Sequence, residues 1–150
     1  VAEIAHAFGA KVIYYSASGA PAQEGYEQVD FETLLTQSDI ISVHAPLNEH
    51  TEGLINSKAF EKMKSSCIFL NLGRGPIVDE QALYNALVRN QIAAAGLDVL
   101  CEEPMSADNP LLKLKDSKRL LITPHIAWAS VEARTYLMEI IHRQVKDFFA

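Results

Sequence analysis

Short runs of β-branched and apolar residues alternate along this chain with segments whose apolar residues recur at helical spacing, and few architectures accept that alternation. Lys11–Tyr15 (KVIYY), Asp39–Val43 (DIISV), Cys67–Leu70 (CIFL), Ala93–Val99 (AAAGLDV) and Arg119–Thr123 (RLLIT) read as strands. Asp39–Val43 is apolar on both faces, as a buried parallel strand should be. Between the runs lie helical segments. Val1 to Phe8 carries apolar Val1, Ile4, Ala5 and Phe8, with Gly9 placed to terminate it. Asp30 caps a helix through Gln37, with Phe31, Leu34 and Leu35 on one face. Ser57 caps one to Lys64, and Asp79 caps one to Arg89 with Leu83, Leu87 and Val88 inward. Ser130 caps a long final helix with Ala133, Leu137, Ile140, Ile141, Val145 and Phe148 on one stripe. Ser16–Gly25 and Leu100–Lys118 are loops. Strand, helix, strand in this order predicts an α/β fold, a doubly wound parallel sheet.

The length of 150 residues suits one domain, and 49% apolar residues can fill a core. A net charge of -6 with scattered basic residues gives no electrostatic reason to bind nucleic acid or an anionic membrane. No apolar run approaches spanning length and no signal peptide is visible, so the expected location is cytoplasmic. Cys67 lies in an apolar run and reads as buried packing, while Cys101 lies in a loop beside an acidic pair. Neither belongs to a C-x-x-C or zinc pattern, so free thiols and no metal are expected.

Ligands of open α/β sheets sit beyond the carboxyl ends of the strands. The polar or special residues of this chain fall there: Ser16, His44-Ala45-Pro46, Asn71 to Gly75, Asp98 and Pro124-His125. Gly73 and Gly75 let backbone approach a ligand closely, and Arg74 offers a fork of donors to a carboxylate; the plain alternative is a helix-entry turn with a solvated arginine. Asp98 is a ligand contact or a loop cap. Glu102-Glu103-Pro104 can be a solvated acidic loop. A lone His125 is more often structural, but here it has an arginine and a carboxylate at neighbouring strand ends. That trio suits reduction of a 2-keto acid, which needs a cation for the carboxylate and a proton donor at the carbonyl oxygen. A nearby carboxylate would orient the imidazole and offset its charge. No G-x-G-x-x-G occurs, since Val78 stands where a third glycine would follow Gly73 and Gly75.

Ala5–Tyr15 (AHAFGAKVIYY), His44–Ile55 (HAPLNEHTEGLI), Asn71–Asp79 (NLGRGPIVD), Gly96–Pro104 (GLDVLCEEP) and Thr123–Ser130 (TPHIAWAS) resemble the D-isomer-specific 2-hydroxyacid dehydrogenases in order and spacing. The resemblance covers essentially the whole chain, and Ile126–Ala129 looks most like the hydroxypyruvate reductase (glycerate dehydrogenase) branch; Trp128 can equally be a packing residue. It implies a Rossmann-type dinucleotide-binding domain. It further implies that Arg74 binds the substrate carboxylate, that His125 is the general acid in reduction and that Glu103 pairs with it. Asp98 would hold the nicotinamide carboxamide. Pro46 and Thr51 would lie near the adenosine and phosphates, and Leu72, Gly73 and Ala127 around the nicotinamide half.

Three departures accompany the resemblance. The substrate domain, the first strand and the glycine-rich loop are not in the sequence, so residues 1–150 are expected to be a partial domain of a longer protein. In the family that first strand lies between Lys11–Tyr15 and Asp39–Val43, and without it two strands are expected to have unpaired buried edges. Ser16-Ala17-Ser18 offers neither the acidic residue of NAD-preferring relatives nor an arginine; NAD is expected, with NADP the alternative. Ala127 replaces the family's common glycine, which the reductase-like branch tolerates. The full-length protein is expected to be a homodimer, with Ala93–Gly96 and the final helix as contacts unless each packs on its own sheet. The competing class is a dinucleotide-binding corepressor-like regulatory module; a formate- or phosphite-type dehydrogenase ranks lower, since formate-type sites carry glutamine where Glu103 stands.

Overall fold

The structure, a computed structural model, describes residues 1–21, 23–114 and 118–149. Residues 115–117 of the expected 100–118 loop, and Ala22 of the expected 16–25 loop, lie outside the described residues. Four strands form the central parallel sheet, β3 (Ile40–Val43), β4 (Ile68–Asn71), β5 (Ala94–Leu97) and β6 (Leu120–Ile122), in that order. Ile41 pairs with Phe69, Phe69 with Ala95, and Ala95 with Leu120, so the four strand ends line up in one row. After a short first helix, α1 (Ala2–Ala7), a separate parallel pair joins β1 (Ile13–Tyr14) to β2 (Glu27–Gln28). The short polar β2 has no apolar alternation, and only its pairing with β1 makes it a strand.

Every second residue of the central strands points into one core. Ile41, Val43, Phe69, Ala95 and Leu97 meet Leu35 of α2 (Phe31–Gln37), Phe60 of α3 (Ser57–Lys62) and Leu83 and Leu87 of α4 (Glu80–Val88). The rings of Phe60 and Phe69 pack edge to face at 5.4 Å, the arrangement that the aromatic quadrupole favours. Leu111 closes this layer from a 3₁₀ turn, Pro110–Lys113. Cys67 is fully buried here, as its apolar run implies.

The helices start where capping chemistry puts them. Asp30 accepts the Thr33 N–H, Asp79 that of Ala82, and Ser130 that of Ala133, each satisfying an N–H that the helix itself leaves unpaired. One cap differs from the sequence expectation. Asn56, not Ser57, caps the start of α3, because its side-chain Oδ1 accepts from the N–H groups of both Lys58 and Ala59. Val88 is also exposed rather than inward, since α4 ends there. Arg119 gathers the orphan acceptors of that end: its guanidinium donates to the carbonyls of Leu87, Ile92 and Ala93 and to Asn90 Oδ1.

Two apolar surfaces are open. The second face of the sheet leaves Ile40 60% and Leu121 66% exposed, so Asp39–Val43 is buried on one face and not on both. The final helix, α5 (Val131–Phe148), has no buried residue. Leu137, Ile141, Val145 and Phe148 all face solvent, which corrects the reading in which this stripe packs on its own sheet. Within β5, Gly96 lies close under the neighbouring strand: a Cβ there would sit 2.9 Å from Leu70 Cδ2.

Candidate active site

Beyond the carboxyl ends of β4, β5 and β6 lies an open cavity of about 600 Å³, lined by Leu72, Arg74, Asp98, His125, Ala127 and Trp128. Residues as far apart in sequence as Leu72 and Trp128 become neighbours because parallel strands end together on one side.

The Arg74 turn is shaped from below by Asn71, the fully buried last residue of β4. Its Oδ1 accepts the Gly73 N–H at 3.1 Å and its Nδ2 donates to the Arg74 carbonyl at 3.0 Å. A side-chain amide can serve as acceptor and donor at once, which a carboxylate cannot. Arg74 donates one bond to the Gly73 carbonyl and has no ion-pair partner among the described residues. Gly75 is required by the neighbouring loop: a Cβ there would lie 1.9 Å from the Leu100 carbonyl oxygen. The glycine thus lets the Arg74 turn rest directly on the loop that carries Glu103.

Asp98, only 3% exposed, organises the segment after β6. Its Oδ1 accepts from the Thr123 hydroxyl at 2.5 Å and the Ile126 N–H at 2.9 Å, and its Oδ2 from the Ala127 N–H at 2.9 Å. Burial pushes the Asp98 carboxyl up, but these three hydrogen bonds, helped by the charge on His125, outweigh it and hold it below the usual carboxylate range. The two alternatives for Asp98 are therefore compatible. It caps a loop and still lines the cavity, where Oδ2 has capacity for one more donor.

That loop holds His125 in a left-handed conformation, φ 55°, uncommon for a residue other than glycine. The Trp128 indole N–H donates to the His125 carbonyl at 3.0 Å and fastens this turn. His125 Nδ1 meets Glu103 Oε2 at 2.8 Å, which leaves Nε2 for the cavity. The other oxygen of Glu103 accepts the Leu100 N–H at 2.9 Å. That backbone bond first, and the bond to His125 second, hold the Glu103 carboxyl below its ordinary value. Glu102, its neighbour, is exposed.

The remaining candidates lie apart from this cavity. Ser16 follows β1, its hydroxyl 3.2 Å from that of Ser18. Pro46 is exposed in the loop after β3. Thr51 is buried with its hydroxyl given to the Pro46 carbonyl at 2.7 Å, so its side chain shapes the loop that presents Pro46. Gly73 is buried under the Arg74 turn. Asn71 and Thr123 went unassigned in the sequence. The signal for Asn71 is a polar residue closing an apolar run just before Gly73-Arg74-Gly75; Thr123 carries none beyond its place before Pro124.

Comparison with known proteins agrees with this geometry. Residues 1–127 match the D-isomer-specific 2-hydroxyacid dehydrogenase NAD-binding domain. A hydroxypyruvate reductase of Blautia hydrogenotrophica is 45% identical over 148 residues, 97% of this chain and 45% of that protein. Among solved structures, an acyclic imino acid reductase in complex with NADPH and D-Arg superposes with a TM-score of 0.89 at 40% identity, covering 99% of this chain and 46% of the other. The D-lactate dehydrogenase of Lactobacillus jensenii with NAD+ follows at 0.84 and 38%, covering 95% and 46%. The chain spans about half the length of the relatives it matches. It belongs to the D-isomer-specific 2-hydroxyacid dehydrogenase family and corresponds to that family's NAD-binding domain.

Proposed function

We propose that this chain is part of the dinucleotide-binding domain of an NAD(P)-dependent oxidoreductase that moves hydride between nicotinamide and a small 2-keto or 2-hydroxy acid, such as hydroxypyruvate or glyoxylate. One observation carries the reading. A histidine locked through Nδ1 onto a carboxylate shares a cavity with an arginine that has no anionic partner among the described residues.

The residues fit a nicotinamide. Leu72 and Ala127 offer apolar walls, and Asp98 Oδ2 can accept from a carboxamide N–H. In this reading Asp98 receives the carboxamide, and Arg74, Glu103 and His125 are the catalytic residues. When bound, the reduced cofactor supplies the hydride. Arg74 holds the substrate carboxylate through charge-assisted hydrogen bonds and so fixes the keto group against His125. His125 Nε2 gives its proton to the carbonyl oxygen as hydride reaches the carbon, and takes it back in the oxidative direction. Glu103 stays ionised and keeps Nδ1 engaged, so the ring presents one nitrogen only.

A substrate domain outside this chain completes the site, and NAD is the expected cofactor with NADP the alternative. No helix among the described residues is long and apolar enough to cross a membrane. As a separate part of the proposal, the full-length protein is a cytoplasmic homodimer. The test is NADH and NADPH oxidation by the full-length protein with hydroxypyruvate, glyoxylate and pyruvate, beside H125A. Turnover lost in the variant supports the reading. Cofactor binding without turnover of any keto acid rejects it in favour of a regulatory module.

A further inference from the structure

The catalytic pair Glu103–His125 sits on two exposed loops. His125 is held by the Asp98 and Trp128 contacts described above. The Glu103 loop needs its own anchor, and the hydrogen bonds lead to Glu80.

Glu80 opens α4, where the helix dipole already favours a negative charge. That would account for an acidic residue at this position with no further role. Its two oxygens, however, both bond outside the helix. Oε1 accepts the Cys101 N–H at 2.8 Å, across 21 residues, and Oε2 accepts the Asn109 Nδ2–H at 2.7 Å, across 29. Asn109 is buried, and its own Oδ1 accepts the Leu111 N–H, tying that end to the core. Cys101 shares a peptide bond with Leu100, whose N–H is the donor to Glu103 Oε1. The peptide that Glu80 grips is also the one that the missing Cβ of Gly75 admits under the Arg74 turn.

We infer that Glu80 is a positioning residue for the reaction: by clamping the Leu100–Cys101 peptide to the start of α4 it sets the place of Glu103, and through Glu103 the orientation of His125. The chain of contacts is continuous, from Glu80 Oε1 to the Cys101 N–H, from the Leu100 N–H to Glu103 Oε1, and from Glu103 Oε2 to His125 Nδ1. Cys101 cannot replace the clamp by ionising. Burial, then the negative charge of Glu80, push its thiol up to about 12, and it stays a neutral partner of the Val78 carbonyl. This inference rests on the dehydrogenase reading, since it assigns Glu80 an effect on that chemistry.

The experiment is a double-mutant cycle in the full-length protein, with E80A, E103Q and the pair. E80A should lower kcat about ten- to a hundredfold, with the KM of the reduced cofactor changed by less than about threefold. In the E103Q background the same change should cost less than about threefold, because its effect runs through Glu103. E80Q keeps a carbonyl oxygen for the Cys101 N–H and should recover most of the loss. Amide hydrogen exchange gives a readout free of turnover: the Leu100 amide should lose protection in E80A. Additive losses in the cycle, or an unchanged Leu100 amide, overturn the inference even where H125A confirms the dehydrogenase. A wild-type protein that turns over no keto acid overturns both.

Discussion

Arg74 illustrates how one side chain changes meaning with its surroundings. In sequence it is a candidate with an ordinary alternative, a solvated arginine beside a turn. In the structure its guanidinium faces the cavity of His125 with a single backbone bond satisfied. Arg74→Ala should therefore cost about 2 kcal/mol of transition-state binding, roughly thirtyfold in kcat/KM for the keto acid. Steady-state kinetics of the full-length variant checks this, and an unchanged kcat/KM would remove Arg74 from the site. Glu103 carries a pH prediction. Its folded-state carboxyl titrates below the ordinary glutamate value, so its interactions with the Leu100 N–H and His125 are complete above that ordinary value. They are lost only as pH falls through the depressed one. His125 and Asp98 are the titratable groups that face it. The acidic limb that Glu103 contributes to kcat/KM should then lie below about pH 4.3, the usual glutamate range. E103Q should remove that limb; a limb that survives in E103Q belongs to another group.

Among the elements, strands and helix starts were the most legible. Asp30, Asp79 and Ser130 cap where their types predict, because a cap is a contact across three residues and the chain states it locally. Asn56 displaced Ser57 because its longer side chain reaches two N–H groups, a choice set by loop geometry. β2 was invisible, since Glu27–Gln28 is a strand only through Ile13–Tyr14. The turn at Gly75 was legible as a turn, but not the contact that its glycine admits: the Leu100–Cys101 peptide, 25 residues away in sequence. Gly75→Ala should lower stability by at least about 2 kcal/mol, because backbone and not a flexible side chain must move. Urea unfolding measures this. A variant as stable as the parent would show that the loops part at little cost, which would also weaken the case for a fixed Glu103.

For the whole molecule, the main finding is a core on one side of a sheet. The helices α2 to α4 cover one face, while Ile40, Ile68 and Leu121 on the other and the α5 stripe stay open. Exposed apolar area of this extent is uncommon on a finished monomer surface. Residues 1–150 alone should therefore bind a hydrophobic dye several-fold more than the full-length protein per mole, an order-of-magnitude expectation from the open area. Equal fluorescence would mean that these faces stay open in the full-length protein too.

The amino-acid sequence by itself determined the alternation of strand and helix, most of the caps, and the residue types that meet at the strand ends. These follow from periodicity and from contacts a few residues long. Only the tertiary structure decided that Asp98 binds both sides of the His125 turn and that Glu80 grips the peptide before Glu103. Each of those contacts that joins distant segments depends on parallel strands ending in register. A hydrogen bond across twenty or more residues leaves no periodic trace in the chain, so its partners are known only once the sheet has brought them together.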